Sequence, residues 1–198
     1  MKKTLFLALL LFVFVPFTVT AADTYTVQPG DSMWKIAMKY QIGVTEIIEA
    51  NPQVENANLI YPNQKLNIPN IDQIKHTEHQ VIQLTNQERA KHGLSALKPD
   101  WELSRVARYK SQDMHDRKYF AHDSPTYGSP FTMMKNFGIT YRKAAENIAR
   151  GQRTPQEVVN AWMDSPGHRK NILTPELTHI GVGYVKDGNY WTQMFITK

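Results

Sequence analysis

Apolar residues are continuous at the start of the chain and periodic after it. The run from Leu5 to Val15 follows two lysines and precedes the small residues Thr20 to Ala22. A basic start, a short apolar run and a small-residue end are typical of a secretory signal peptide. The run is shorter than the roughly 20 apolar residues that a bilayer crossing needs, so we predict no permanent membrane anchor. Residues 1–22 are therefore a predicted signal peptide, with cleavage near Ala21 or Ala22.

Residues 23–69 show the pattern of a small domain with two strands and two helices. The stretch YTVQ alternates like a strand, and PGDS is a turn that places Asp31 or Ser32 at a helix N-cap. The later stretch QKLNIP alternates again. The predicted order is β-α-α-β, with Trp34 filling the small core. The apolar positions that predict the two helices are Trp34, Ala37, Met38 and Tyr40, followed by Val44, Ile47 and Ile48.

A polar segment separates this domain from the rest of the chain. Residues 70–78 have no clear apolar face, which favours a short linker that leads into a helix. We therefore place a second domain at residues 79–198. Gly93 is a predicted helix end in this domain, and Asp100 is the predicted N-cap of the next helix.

The second half of this domain contains two more helix starts and a change of period. Ser129-Pro130 and Thr154-Pro155 each begin a predicted helix. In SPGHRKNIL, Pro166 and Gly167 predict a turn that ends the second of these helices and carries His168. The final stretch HIGVGYVKDGNYWTQMFI alternates, and Asp187-Gly188 or Gly188-Asn189 predicts a hairpin turn within it.

Composition excludes several classes of function. The chain has no cysteine, so disulfides, cysteine nucleophiles and thiolate metal ligands are excluded. Of its 23 basic residues, Lys2 and Lys3 lie in the predicted signal peptide, and the remaining 21 exceed the 18 acidic residues by three. This mild excess suits a location near polyanionic wall polymers. Because the basic residues are scattered, we predict no specific nucleic-acid partner.

Three side chains in polar segments are candidates for chemistry. They are His122 in FAHDSP, Glu146 in AENIA and His168 in SPGHR. Two imidazoles and a carboxylate are suitable ligands for Zn²⁺ or another divalent ion, although their spacing does not match a compact helical metal motif. The alternatives are local roles: a turn with Asp123 for His122, an arginine partner for Glu146, and a helix cap for His168.

The motifs of residues 25–69 closely resemble a LysM module. The resemblance rests on YTVQPGDSMWKIAMKY, IIEANPQ and LIYPNQKLNIP. It implies binding of peptidoglycan or another N-acetylglucosamine polymer in a shallow groove between two loops. The matching residues of this chain are Gly30, Asp31, Ser32 and Met33 on one side of the groove, and Asn58, Leu59, Ile60 and Tyr61 on the other.

Six ordered motifs of the second domain resemble the CAP superfamily, which includes cysteine-rich secretory proteins and plant pathogenesis-related proteins. They are LTNQERAKHGLSALKPDWELSRVARYKSQDM, YFAHDSP, AENIA, WMDSPGHRKNIL, HIGVGY and YWTQMF. The resemblance implies an α+β chain in which an α-β-α sandwich follows the small βααβ module. It also implies a cleft with two histidines and two glutamates.

In this resemblance His122 and His168 match the histidines and Glu146 matches one glutamate. Ala145 stands where the family motif usually has glycine, and the position of the second glutamate falls on Asp164 or Ser165. A complete set of four is therefore not expected. The three matched residues are the candidate metal ligands and the candidate catalytic residues.

Three hypotheses for function follow. The first is a secreted protein of the cell wall or spore surface that binds peptidoglycan through its LysM module, because this module pairing is similar to wall or spore-associated proteins of spore-forming Gram-positive bacteria. The second is a metal-dependent extracellular hydrolase, either a peptidase or a nuclease, that uses His122, Glu146 and His168. The third is a carrier of lipids or sterols, because the resemblance extends to CAP relatives that are linked to sterol or lipid binding.

Overall fold

The computed structural model describes residues 23–198. The predicted signal peptide, residues 1–22, lies outside the described residues.

The first module has the predicted β-α-α-β order. Its elements are β1 (Asp23–Thr26), α1 (Met33–Tyr40), α2 (Val44–Glu49) and β2 (Lys65–Ile68). The two strands pair in antiparallel register, with Tyr25 opposite Leu66. Leu66, Ile68 and Ile47 are buried as their spacing predicts. The small core therefore lies between the two helices and the two-stranded sheet.

The buried side of α1 differs from the prediction. Met33, Ile36 and Ala37 form its buried face, whereas Trp34 is 47% exposed and does not fill the core. The stretch MWKIAM is apolar around most of the helix, so its pattern fits two alternative stripes at helical spacing. Ser32 is the N-cap, because its hydroxyl accepts a hydrogen bond from Lys35 N at 3.2 Å.

The polar segment predicted as a linker is helical from Asp72 onward. It forms the start of α3 (Asp72–Lys91). Its polar side chains have partners in neighbouring structure: Lys75 Nζ donates to Tyr40 O at 2.8 Å, and Glu78 is buried against Arg108 with an N–O distance of 3.0 Å. The start of α3 has no apolar face because its polar side chains bond to residues that are distant in the sequence.

The second module is built on a four-stranded sheet. Its remaining elements are β3 (Lys98–Pro99), α4 (Trp101–Asp116), α5 (Pro130–Asn136), β4 (Lys143–Arg150), α6 (Pro155–Asp164), α7 (Pro166–Ile172), β5 (His179–Val185) and β6 (Tyr190–Thr197). The strand order is β3-β5-β6-β4. Only β3 and β5 are parallel among the described strands, and β4 forms one edge.

Helices cover both faces of this sheet. On one face, α3 and α6 pack against Ile180 and Val182 of β5. On the other face, Leu103 and Val106 of α4 pack against Met194 of β6 together with α5. The alternating side chains of β6 thus contribute to the core on both faces of the sheet, and those of β5 contribute on one face. The α+β class and the α-β-α sandwich predicted for this domain are confirmed.

Helix α4 lies unusually close to β5 because two residues of that strand have no side chain. A Cβ atom on Gly183 would lie 2.1 Å from backbone atoms of Ala107 and Arg108, and one on Gly181 would lie 2.4 Å from the backbone of Leu103 and Ser104. Such distances exclude any side chain at these positions unless the backbone moves.

The predicted starts of the helices and the hairpin turn are found in the structure. Asp100 accepts a hydrogen bond from Leu103 N at 3.0 Å, and Ser129 and Thr154 cap α5 and α6 in the same way. In the turn between β5 and β6, Gly188 and Asn189 have φ angles of 73° and 50°. These left-handed angles are typical of the residues found there.

The segment SPGHRKNIL is not the turn that the sequence predicts. Ser165 both ends α6 and precedes α7, and Pro166 occupies the first turn of α7. Proline is well suited to that position because its missing N–H would have no helical partner. His168 therefore lies on a short helix. Glu146, predicted in a turn-rich segment, lies within strand β4.

Within residues 23–198, no helix combines the length and the apolar character needed to cross a membrane.

We expect Gly183→Ala to lower the free energy of unfolding by about 1–3 kcal/mol, because the new methyl group would overpack the contact between α4 and β5. The measurement is urea unfolding of the chain from residue 23 to residue 198. Gly167→Ala is the control, because no atom lies within 4 Å of a Cβ at that position. Equal stability of the two variants would contradict the close packing described here.

Candidate functional site

Two of the three candidate residues are in direct contact. His122 Nδ1 lies 2.8 Å from Glu146 Oε1. The carboxylate is almost fully buried, with 1% of its side chain exposed, whereas the imidazole side chain is 53% exposed. The pair therefore joins a buried acid to a ring that reaches the surface. The arginine partner considered for Glu146 is not found, since Arg142 bonds to Lys198 O and Arg150 lies over the Tyr190 ring.

Burial and pairing act in opposite directions on this carboxyl group. Burial raises the pKa of Glu146, while the His122 hydrogen bond and the Lys110 ammonium lower it. The same hydrogen bond raises the pKa of His122. Burial prevails, so the pKa of Glu146 is raised overall. Because the Lys110 ammonium and the His122 ring nitrogen both stabilise a carboxylate, we assign Glu146 the ionised form, which accepts the proton on His122 Nδ1. Glu146 Oε2 is buried without a hydrogen-bond partner within residues 23–198.

Lys110 of α4 holds the loop that carries His122. Lys110 is fully buried. Its Nζ donates to His122 O at 2.6 Å and to Tyr119 OH at 3.2 Å. Burial lowers the pKa of Lys110, and the nearby carboxylates, first Glu146, oppose that shift. A buried ammonium needs such partners, so its position and that of the loop depend on each other.

Asp113, one helical turn after Lys110, anchors the same loop. Its carboxylate accepts hydrogen bonds from Ser124 Oγ at 2.6 Å and from Thr126 Oγ1 and Tyr119 OH, both at 2.5 Å. These three bonds keep the pKa of Asp113 low although burial opposes them. The turn that the sequence suggested around Asp123 and Ser124 is thus tied to α4. Helix α4 therefore holds the loop on both sides of His122.

His168 approaches the pair from the opposite face of the sheet. Asn147 Nδ2 donates to His168 O at 3.2 Å, and Asn171 Nδ2 donates to Glu146 O at 3.2 Å. These bonds attach α7 to β4. Burial lowers the pKa of His168, and the charge of His122 lowers it further. His168 therefore lies near His122 without belonging to the hydrogen-bonded pair.

A buried polar network connects α7 to the interior of the domain. Asn147 Nδ2 donates to Gln193 Oε1 at 3.0 Å, and Gln193 Nε2 donates to Thr85 Oγ1 at 2.8 Å. Asn147, Gln193 and Thr85 have no exposed surface. Since every link is a buried hydrogen bond, losing one partner would leave the others unsatisfied. The network therefore fixes the position of α7 along β4.

The three candidate ligands do not form a metal centre in this arrangement. Among residues 23–198, no three His, Asp or Glu side chains are grouped so that they could hold a metal ion. Asp164 is exposed at the end of α6, and the Ser165 side chain forms no capping hydrogen bond. Asp164 therefore does not complete a three-ligand set with His122 and Glu146 among residues 23–198, and these side-chain positions do not fit a metal.

The predicted groove residues of the first module include both exposed and buried side chains. Leu59 and Tyr61 are 53% and 59% exposed, whereas Met33 is buried in the small core. Asp31 accepts hydrogen bonds from Tyr25 OH at 2.7 Å and from Gln28 N at 2.8 Å. Gly30 has a φ of 85°, which favours glycine. Asn58 is exposed and Ile60 is partly buried.

Models of known families match both modules of the chain. The model of the cysteine-rich secretory protein family, CAP, matches residues 82–196, which is more than half of the chain. The chain belongs to this family. The LysM domain model matches residues 25–69. The family resemblances drawn from the motifs are therefore confirmed for both modules.

Individual relatives match parts of the chain. The uncharacterized protein YkwD of Bacillus subtilis strain 168 is 65% identical over 121 residues, which are 61% of this chain and 47% of YkwD. The crystal structure of an extracellular protein with an SCP domain from Bacillus anthracis strain Ames has a TM-score of 0.61 at 35% identity, covering 65% of this chain and 44% of the other.

The LysM module also has a relative among enzymes. N-acetylmuramoyl-L-alanine amidase sle1 of Staphylococcus aureus is 44% identical over 48 residues, which are 24% of this chain and 14% of the amidase. This chain spans less than half the length of each of these three relatives.

Several positioning residues of the CAP domain were missed by the sequence reasoning. Lys110 and Asp113 are charged residues of α4, and charged helix residues are usually exposed to solvent. Asn171 follows His168 by three residues, a helical spacing that places both on one side of α7. That spacing was a usable signal for Asn171. Nothing in the pattern indicated that Asn147 would be fully buried.

The His122–Glu146 arrangement is suited to proton transfer. An ionised carboxylate on Nδ1 holds the ring in one orientation and one tautomer, and it stabilises the imidazolium that forms when Nε2 takes a proton. His122 Nε2 has no hydrogen-bond partner within residues 23–198, and the ring is half exposed. The CAP domain thus presents one imidazole nitrogen that can accept or donate a proton.

We expect Glu146→Gln to shift the titration midpoint of His122 to lower pH, because the carboxylate that raises its pKa becomes a neutral amide. The measurement is an NMR titration of the histidine ring signals. His115 serves as an internal control, since its pKa is raised by Asp116 and Asp187 instead and should not move. An unchanged or higher midpoint for His122 would show that the pair is not formed.

We expect Asp113→Ala to lower the free energy of unfolding by on the order of 3 kcal/mol, since the buried Ser124 hydroxyl and two less buried hydroxyl donors lose a charged acceptor. Amide hydrogen exchange in residues 119–128 should accelerate at the same time. Asp123→Ala is the matched control, because Asp123 is exposed in the same loop. If both substitutions have equal effects, Asp113 is not the anchor of the loop.

Proposed function

We propose that this chain is a secreted protein of the cell wall or spore surface that binds peptidoglycan, or another N-acetylglucosamine polymer, through its LysM module. The observation that carries the proposal is the pair of exposed apolar side chains, Leu59 and Tyr61, on a loop beside the turn at Gly30. Large apolar side chains exposed next to polar backbone groups are typical of a ligand surface.

The two groove loops are joined by backbone hydrogen bonds. Val27 N donates to Gln64 O and Asn63 N donates to Val27 O, both at 2.9 Å. These bonds place the loop of Leu59 and Tyr61 beside the end of β1. An N-acetyl sugar would pack its apolar face on those two side chains and direct its amide group toward the exposed backbone near Gly30. Because Met33 is buried, we assign it to support of this surface.

The relatives support a location outside the cell. The Bacillus anthracis protein is described as extracellular, and the Staphylococcus aureus relative is named an N-acetylmuramoyl-L-alanine amidase. The predicted signal peptide and the net charge of +3 that remains after its removal agree with this location. Retention by peptidoglycan would then hold the CAP domain at the wall.

A second function, hydrolysis at the CAP cleft, is favoured by the His122–Glu146 pair. In this hypothesis His122 Nε2 acts as a general base that takes a proton from the attacking water. The Glu146 carboxylate orients the ring and stabilises its charged form. His168, whose pKa is lowered by burial, remains neutral beside it and would bind substrate through a ring nitrogen. The metal-dependent form of this hypothesis has no matching ligand arrangement among residues 23–198.

The lipid-carrier hypothesis has less support than either of these functions. A carrier of sterols requires an enclosed apolar groove in the CAP domain. The cavity of about 590 Å³ at the junction of the modules is instead lined by charged and aromatic residues together. A strongly apolar ligand would leave those charges without water or partners.

We expect the double substitution Leu59→Ala and Tyr61→Ala to weaken binding to purified peptidoglycan by about tenfold or more, since each truncated contact at the centre of a binding surface costs about 1 kcal/mol or more. The measurement is a sedimentation assay with the full chain. Phe131→Ala, an exposed apolar residue of the CAP domain, is the control. Undiminished sedimentation of the double variant would refute the assignment of the groove.

A further inference from the structure

A cavity of about 590 Å³ lies between the LysM module and the CAP domain, and its lining includes neither the groove residues nor His122 and Glu146. Its walls come from α2, the start of α3, α4, the loop at Tyr127, the end of α5 at Phe137, and the end of β5 with the turn after it. Small-molecule sites typically have volumes of roughly 300–1,000 Å³ and are frequent at domain interfaces. The size and the location are therefore those of a binding site.

The two modules are held together at the edge of this cavity. Tyr109 OH donates to Glu46 Oε2 at 2.5 Å, and burial raises the pKa of Tyr109 to about 12, so it remains a donor at neutral pH. A Cβ atom on Gly43 would lie 1.9 Å from both oxygens of this bond. Lys75 Nζ reaches across to Tyr40 O at 2.8 Å. The cavity thus has walls fixed by contacts between the modules.

Aromatic rings form one wall of the cavity. The ring centroids of Tyr109 and Phe137 are 5.2 Å apart, and those of Tyr127 and Phe137 are 5.6 Å apart with nearly perpendicular planes. Ile71 and Ile74 of the α3 region add aliphatic surface. Such a wall packs against a ligand with an apolar face.

The charged groups of the cavity are nearly balanced. The carboxylates are those of Glu46, Glu49, Asp113 and Asp116, and the cations are those of Arg108, Arg117 and Lys186. A balanced set of donors and acceptors favours a neutral ligand with many hydroxyl or amide groups over an ion of either sign. A strongly charged ligand would face repulsion from half of the lining.

Arg108 provides a donor that lacks a partner. Its Nε bonds to both oxygens of Glu78, at 3.0 and 3.2 Å. Arg108 is 9% exposed. Its Nη1 is buried and has no hydrogen-bond partner within residues 23–198. A buried donor without an acceptor is unfavourable by about 1–3 kcal/mol. Because Arg108 lines the cavity, a ligand oxygen there is a candidate acceptor for its guanidinium group.

We propose that this cavity binds a neutral N-acetylated saccharide of one or two sugar rings. The faces of a pyranose ring carry C–H groups that pack on tyrosine and phenylalanine, and its hydroxyl and acetamido groups match the carboxylates and guanidinium groups of the lining. The proposal rests on the proposed function in one respect, because the wall polymer bound by the groove is the local source of such sugars. The cavity would then hold a second part of the same polymer.

The test is an NMR titration of ¹⁵N-labelled residues 23–198 with the β-1,4-linked dimer of N-acetylglucosamine. We expect saturable shifts of the Tyr109, Tyr127 and Lys186 amides in addition to those near Leu59 and Tyr61. Glu49→Trp places an indole into the cavity from an exposed position of α2. This variant should abolish the shifts at the cavity and keep those near Leu59 and Tyr61. Glu55→Trp is the matched control on an exposed position of the same module.

The outcomes separate this inference from the proposed function. Shifts near Leu59 and Tyr61 without shifts at the cavity would overturn the cavity site and leave the groove intact. Cavity shifts that persist unchanged in Glu49→Trp would also overturn it. The variant Lys186→Trp closes the cavity from the turn between β5 and β6, and it replaces Glu49→Trp if that protein does not fold. Absence of both sets of shifts would refute the cavity and the groove together for this sugar.

Discussion

The close approach of α4 to β5 is the constraint on which the rest of the molecule depends. Gly181 and Gly183 have no side chain toward the helix, so the α4 backbone lies directly on the strand. Consecutive residues of α4 then reach three different partners. Arg108 pairs with α3, Tyr109 bonds to the LysM module, and Lys110 holds the loop of His122. A shift of α4 would thus disturb the site, the module junction and the long helix at once.

The candidate site forms where two sets of polar contacts meet at the edge strand β4. From one face, α4 fixes the His122 loop through Lys110 and Asp113, and from the other, α7 brings His168 through Asn147. Glu146 lies between them as a buried carboxylate. The LysM module adds the exposed side chains of Leu59 and Tyr61 at the other end of the chain. It is joined to the CAP domain by the bond from Tyr109 to Glu46.

Much of this architecture could be predicted from local patterns, and the failures have physical causes. The β-α-α-β order, the caps at Asp100, Ser129 and Thr154, and the final hairpin depend on neighbouring residues, which a sequence displays directly. The prediction for Trp34 is wrong because MWKIAM is apolar around most of the helix circumference. The pattern of residues 70–78 predicts a linker because the partners of this segment, such as Arg108, are distant in the sequence. The family resemblance predicts that His122 and Glu146 share a cleft, whereas their separation of 24 residues carries no geometric signal of its own.

An ionised, buried Glu146 orients His122 by accepting the proton on Nδ1. The tautomer of neutral His122 tests this arrangement, and long-range ¹H–¹⁵N correlations of the ring above its titration midpoint report it. We expect the neutral ring to carry its proton on Nδ1 and to leave Nε2 free for chemistry. A neutral ring protonated on Nε2 would mean that Glu146 donates the proton or does not contact the ring, and it would exclude this role of Glu146.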